Sequence, residues 1–343
     1  MKNRLALILC ISLLLFAVSG CGKRVEDKEQ FSPDEKIVLK FSHVTAENTP
    51  KGLAAERFAE LVKERTRGRV EVQVFPNSTL YKDGEEIEAL KSGAVQMIAP
   101  ATSKLSGVFP LWQVFDLPYA FADESKVHQA MDGYIGSRLF EGLRQNNLHA
   151  LAFWDSGFKV MTNNQKPVVH PDDFAGLSFR VMINSQVLKK QFEKLGAKPV
   201  EGSFDDLYRA LESRTIDGEE NTISNICSKN LFKVQPYITV SNHGYMGYVV
   251  LTDEKYWNGL PEDIRGLLES TLAEVTEWER QQALRMNREG MQTITASGAV
   301  QLHYLTDDEK SEWIQVLKPL YQEFEYIIGP DLIESVEELK NNN

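Results

Sequence analysis

The sequence predicts an α/β fold built around an open parallel sheet. Three observations carry this: period-two apolar alternation marks strands, helical periodicity separates them, and one strand is almost unbroken in apolar residues. "IVLKFSHV" is the first strand, and "KGLAAERFAELVKERT" follows as a helix with Ala54, Phe58, Leu61 and Val62 on one face. "RVEVQVF" alternates as a second strand, and "DGEEIEALKSG" is a short helix closed by Gly93. "AVQMIA" is nearly continuous in apolar residues, as expected of a strand covered on both faces. This β-α-β-α-β order implies parallel pairing, because parallel neighbours need a crossover connection.

The middle of the chain repeats the logic. "LHALAFW" and "GLSFRVM" read as strands, "SQVLKKQFEKLG" as a helix ending at Gly196, and "SFDDLYRALES" as a helix opened by a Ser203–Asp206 capping box. "ITVSNHGYMGYVVLT" holds two strand-like runs around Gly244 and Gly247. From Pro261 to about Ser297 runs one helical stretch, with Pro261 expected at its first position. It exceeds the usual globular helix and is long enough to run along two lobes. Thr306 and Glu309 open a further helix by a capping box.

The N-terminus reads as a targeting segment. Lys2 and Arg4 precede an apolar run from Leu5 to Val18, shorter than the ~20 residues a spanning helix needs. "VSGC", Val18 to Cys21, resembles a bacterial lipobox, in which the cysteine is acylated and becomes the new N-terminus. Residues 1–20 are then a lipoprotein signal peptide and residues 21–36 a lipid-anchored polar tether, on the extracytoplasmic face of the cell membrane. Cys10 leaves with the signal and Cys21 carries lipid, so Cys227 stands alone as a small buried hydrophobe and no intramolecular disulfide forms.

A formal net charge of -11 argues against nucleic acid, which demands a basic footprint. An anionic small ligand would need a local basic pocket set against that global field. No GxGxxG, GxxxxGK[ST], HExxH, EF-hand loop, CxxC or GxSxG is present. The six histidines lack metal-ligand spacing, so neither metal nor cofactor is expected. An exported α/β chain without a catalytic signature points to a binding protein, not an enzyme. Within "GLSFRVMINS", Arg180 places a guanidinium in a half-buried strand, where burial requires an anionic partner. Solvent, a structural carboxylate and a ligand are the three open readings of what it faces.

"FSHVTAENTPKGLAAERFAELVKERTRGRVEVQVFPNSTL", "VFDLPYAFAD", "GLSFRVM", "LGAKPVEGSFDDLYRALESRTIDGEEN" and "GLPEDIR" together resemble the DctP-type solute-binding proteins of TRAP transporters. "SNHGYMGYVV" is most similar to the branch that binds four-carbon dicarboxylates. The resemblance implies a two-lobed periplasmic-binding-protein-like (type II) fold with a long helix spanning both lobes. Lobe 1 would comprise residues 37–153 with about 244–282, and lobe 2 residues 154–243 with about 283–343. Three departures stand out: Glu219 where the family's D-G-Q-E-N run has an amide, Arg214 where glycine is usual, and Thr222 where proline is common.

By resemblance, Arg180 clamps a ligand carboxylate, a task suited to a planar fork that donates two parallel hydrogen bonds. Asn221 matches the asparagine that helps hold the same carboxylate, with a turn or cap role as its alternative. Lys104 and Lys159 fall where family members place basic residues facing the pocket, and would meet the second carboxylate. His43, Tyr245 and Tyr248 are candidates for lining the cleft, with core or hinge packing the alternative. The implied function is cleft-closing capture of succinate, fumarate or malate for a TRAP-type membrane permease. Two alternatives share the site: a co-sensor read by a membrane histidine kinase, and a receptor for a sugar acid or 2-oxo acid.

Overall fold

The computed structural model describes residues 36–341. The signal, Cys21 and nearly all of the tether therefore lie outside the described residues. Among the described residues ten strands form two linked sheets: β1 (Ile37–Ser42), β2 (Val70–Phe75), β3 (Met97–Ile98), β4 (Leu148–Asn163), β5 (Ser178–Val181), β6 (Lys198–Glu201), β7 (Gly218–Thr222), β8 (Tyr237–Val240), β9 (Tyr245–Asp253) and β10 (Gln301–Tyr304). The first lobe has the order β2-β1-β3-β9-β4. The second continues from β4 through β7 and β5 to β6, with β8 on the other side of β4 and β10 beside β8.

β1 pairs parallel with β2 and β3, and β5 pairs parallel with β6 and β7, as the crossover logic predicts. The expectation of an all-parallel sheet is corrected at β9, which runs antiparallel to both β3 and β4, and in the second lobe at β4, which runs antiparallel to β7 and β8. The reason is topological. β9 arrives from the second lobe, so it enters the first sheet from the opposite end to the local crossovers.

β4 is 16 residues long, more than twice the predicted "LHALAFW", because one strand serves both sheets. Its partner changes from β9 at Phe158 to β7 at Lys159, just past a register break between Asp155 and Gly157. Gly157 has φ +125°, and a Cβ there would come within 2.6 Å of the Asn287 amide. Glycine is required at that bend.

The helix Pro50–Arg65 begins at Thr49, whose side chain accepts the Gly52 N–H. The long helix Glu262–Ala296 starts one residue later than expected, with Pro261 as its cap. It packs against Pro50–Arg65 in the first lobe and Ile223–Ser228 in the second. Asn287 ties it to the bend: its amide donates to the Ser156 carbonyl at 2.7 Å and its oxygen accepts the Ser224 N–H at 2.9 Å. The predicted Ser203–Asp206 capping box is only half formed: the Ser203 hydroxyl accepts the Asp206 N–H but donates to the Asp206 carboxylate, and the helix proper starts later, over Leu207–Glu212 with Asp206 as its cap. Thr306 and Glu309 form the predicted capping box. Cys227 is half-buried, not buried, with its Cβ against Gly290. No helix among the described residues is long and apolar enough to cross a membrane.

Candidate functional site

Between the lobes lies a small cavity, bounded by charged, polar and apolar side chains from both sheets. β5 supplies Arg180. The pleat sends Phe179 into the apolar core, where it stacks on Phe192, and turns Arg180 to the opposite face. Its Nε donates to the Gly202 carbonyl at 2.9 Å, which fixes the fork, and one terminal nitrogen lies 4.0 Å from Asp83. Although the side chain lies between lobes, it is only 3% exposed.

From the other lobe comes Lys104, on the short helix Thr102–Leu105. Its ammonium forms an ion pair with Asp83 and stands 3.7 Å from Glu86. Burial, with Lys51 and Arg180 nearby, pushes Lys104 well below the usual lysine range. Asp83 thus touches a cation from each lobe. It also bridges the lobes through backbone groups: its carboxylate accepts the Phe204 N–H at 2.7 Å, and its own N–H donates to Asp205 at 2.8 Å. The Ser78 hydroxyl adds a third link by donating to Asp205.

The floor is an amide and hydroxyl network. Asn221 is the next-to-last residue of β7; its Nδ2 donates to Glu219 at 3.0 Å, and its oxygen accepts from Asn225 and from the Thr222 N–H. Asn225 also donates to the Tyr248 hydroxyl at 3.0 Å. Lys51 lies 3.8 Å from the Tyr248 ring centre and donates to the Ala99 carbonyl. Burial lowers Lys51 to about 8, against the pull of Glu86 and Glu279. Val44, Thr45, Ala101, Met182, Phe204 and Met246 complete the lining.

Four of the predicted residues therefore share this cavity: Arg180, Asn221, Lys104 and Tyr248. Lys159 lies elsewhere, with its ammonium 2.6 Å from Glu220. Glu220 is also met by His243 at 2.7 Å and by the Gln191 amide at 3.0 Å. Burial would push Glu220 up, yet Lys159 and His243 hold it well below the usual carboxylate range. His43 is fully buried beside the lining residues Val44 and Thr45; burial, then Lys51, lowers it to about 3. Tyr245 opens onto a separate cavity behind the bend, with Phe158 and Asn287, and its ring packs edge-on against Phe158. Asp83, Thr45 and Asn225 were not singled out from sequence. None of the three carried a local signal: Asn221 lies on β7 and Asn225 on the helix Ile223–Ser228, so no single period relates them.

The family described as bacterial extracellular solute-binding protein, family 7, matches residues 41–326. The chain belongs to this family. The C4-dicarboxylate-binding protein DctB of Bacillus subtilis is 45% identical over 349 residues, covering 98% of this chain and 99% of its own. A TRAP periplasmic solute-binding protein from Sulfurospirillum deleyianum, solved with bound succinate, is 39% identical with a TM-score of 0.86. That match covers 89% of this chain and 99% of the other. A Pseudomonas aeruginosa counterpart with bound L-malate is 37% identical, with a TM-score of 0.81, over 83% of this chain and 99% of its own. The fold seen here is the two-lobed α/β architecture of those TRAP receptors.

Proposed function

We propose that this chain is an extracytoplasmic receptor that captures C4-dicarboxylates by cleft closure and presents them to a TRAP-type permease. One observation carries the reading: the buried cations Lys104 and Arg180 come from opposite lobes and converge on one cavity. A dianion held at both ends would tie the lobes together, and exclusion of water would strengthen each contact. Arg180 would take one carboxylate by a forked pair of hydrogen bonds, with the second Asn221 N–H beside it. Lys104 would meet the other end, and the Tyr248 hydroxyl and Thr45 would supply neutral partners. Lys159 is assigned to the support of Glu220 and His43 to packing behind the lining. The succinate and malate bound by the similar TRAP periplasmic solute-binding proteins support this ligand class.

Arg180→Ala is expected to lower affinity for succinate, fumarate or malate at least a hundredfold by calorimetry, because truncating a buried charge partner costs ~2–5 kcal/mol. Lys104→Met should weaken dicarboxylates while sparing any monocarboxylate that binds. A loss of tenfold or less for Arg180→Ala would remove it from the clamp. The "VSGC" stretch supports an anchor through Cys21. Cys21→Ser should move the protein from the membrane fraction to the soluble one; unchanged fractionation would sink the anchor.

A further inference from the structure

The buried charges around the cavity do not match a dianion as they stand. Lys51, Lys104 and Arg180 are cations; Asp83, Glu86 and Glu219 are carboxylates; all six are buried. Fully ionised, they cancel, and a neutral chamber gives a dianion no net attraction. At the rim, Asp205 and Lys229 are partly exposed and of opposite sign, so they leave the balance unchanged; Glu279, buried beside Lys51, adds no charge because burial, then Asp155, pushes it well above the carboxylate range.

Two of the carboxylates are poorly held as anions. Neither oxygen of Glu86 accepts a hydrogen bond among the described residues, and Lys104 stands 3.7 Å away already paired to Asp83. The charged groups around Glu86 are Lys51 from Pro50–Arg65, Lys104 from Thr102–Leu105, and Asp83 and Asp205 from the cross-lobe link. Glu219 lies opposite Arg180 in the β5–β7 register. It accepts one good hydrogen bond, from Asn221, and a long one from Thr162, with Glu220 as a like charge on its own strand.

We propose that capture of the dianion is coupled to proton uptake at Glu86 and Glu219. With both carboxyls neutral, three cations face one carboxylate, and the surplus of two matches the ligand. Titration positions agree with the geometry. Burial pushes Glu86 up to about 7 against Lys51, with Asp205 adding to the rise. Burial likewise pushes Glu219 up to about 7 against Asn221 and Arg180, with Glu220 adding to it. A dianion nearby raises both further, because it disfavours a second negative charge. The inference rests on the dicarboxylate reading above and adds what that reading leaves out, the charge balance.

The test is calorimetry of succinate binding at pH 7.5 in two buffers of different ionisation enthalpy, phosphate and Tris. The observed heat is expected to vary with buffer, reporting uptake of about one proton or more, and affinity should fall about tenfold per pH unit between pH 7 and 8. Glu86→Gln with Glu219→Gln should abolish the buffer dependence while succinate still binds. Wild-type binding with the same heat in both buffers overturns the coupling, as does a double variant that keeps the full uptake. Failure of the wild type to bind any four-carbon dicarboxylate overturns the ligand reading, and the coupling with it. If the double variant does not fold, the wild-type slope alone decides the coupling, and each single variant, expected to lose about half of it, assigns the residues.

Discussion

Arg180 and Lys159 look alike in sequence, each a cation in an apolar strand, and the structure gives them opposite tasks. Arg180 keeps its terminal nitrogens toward a cavity because Gly202 engages only its Nε. Lys159 has no such freedom: Glu220 takes its ammonium, and His243 and Gln191 occupy the other carboxylate oxygen. Breaking such a pair leaves a buried charge uncompensated, at a cost of ~3–5 kcal/mol. Lys159→Met is therefore expected to destabilise the fold by that amount in denaturant unfolding, yet to change succinate affinity only a few-fold. A loss of affinity comparable to that of Arg180→Ala would return Lys159 to the ligand site. Arg180 was legible because a period-two pattern assigns each residue a face. Asp83 and Glu86 were not, because acidic residues ahead of "IEALK" are what any helix N-terminus favours, whatever else they touch.

Among the elements, helices were more legible than strands. Pro50–Arg65 and Glu262–Ala296 were both visible because their apolar stripes and end signals are local. The strands depend on partners far away in the chain. β3 shrinks to Met97–Ile98 although six residues read as strand, whereas β4 runs on through Asp155, Ser156 and Gly157, where the apolar pattern stops. That polar stretch is the part of β4 that passes between lobes, so its environment is set by the long helix, not by a sheet face. Asp155 donates its N–H to Glu279, and Ser156 offers its carbonyl to Asn287. No period within β4 could reveal partners more than a hundred residues downstream. The direction of β9 was hidden for the same reason. Strand order and sense follow from which lobe the chain leaves, and a local pattern carries no record of that.

For the molecule as a whole, closing two lobes over charged groups shapes its response to pH. Burial raises Asp116 to about 6, Glu86 and Glu219 to about 7, and Glu279 well above the carboxylate range. Such acids hold protons in the folded chain that the unfolded chain has released. Their contribution to stability is fully present below ordinary carboxylate values and is lost as pH rises through the folded ones. Two histidines act in the opposite sense. His43 is lowered to about 3 and His243 is also lowered, both chiefly by burial, so each costs stability as pH falls below the ordinary imidazole value. Glu220, held far down by Lys159 and His243 against its burial, likewise loses its contribution only in acid. Between pH 6.5 and 7.5 the two histidines pass from half charged to mostly neutral in the unfolded chain and so return part of that loss, while Lys51, at about 8, is still mostly charged and Lys104, though lowered by burial, is held as a cation by its ion pair with Asp83. The raised carboxyls outweigh the histidines, and the net effect is on the order of 1 kcal/mol lost over the unit. The unliganded protein should melt a few degrees lower at pH 7.5 than at pH 6.5 by scanning calorimetry. A melting temperature that is flat or rises across the interval would mean these carboxyls are ionised in the folded chain, which would also remove the proton reservoir on which coupled capture depends.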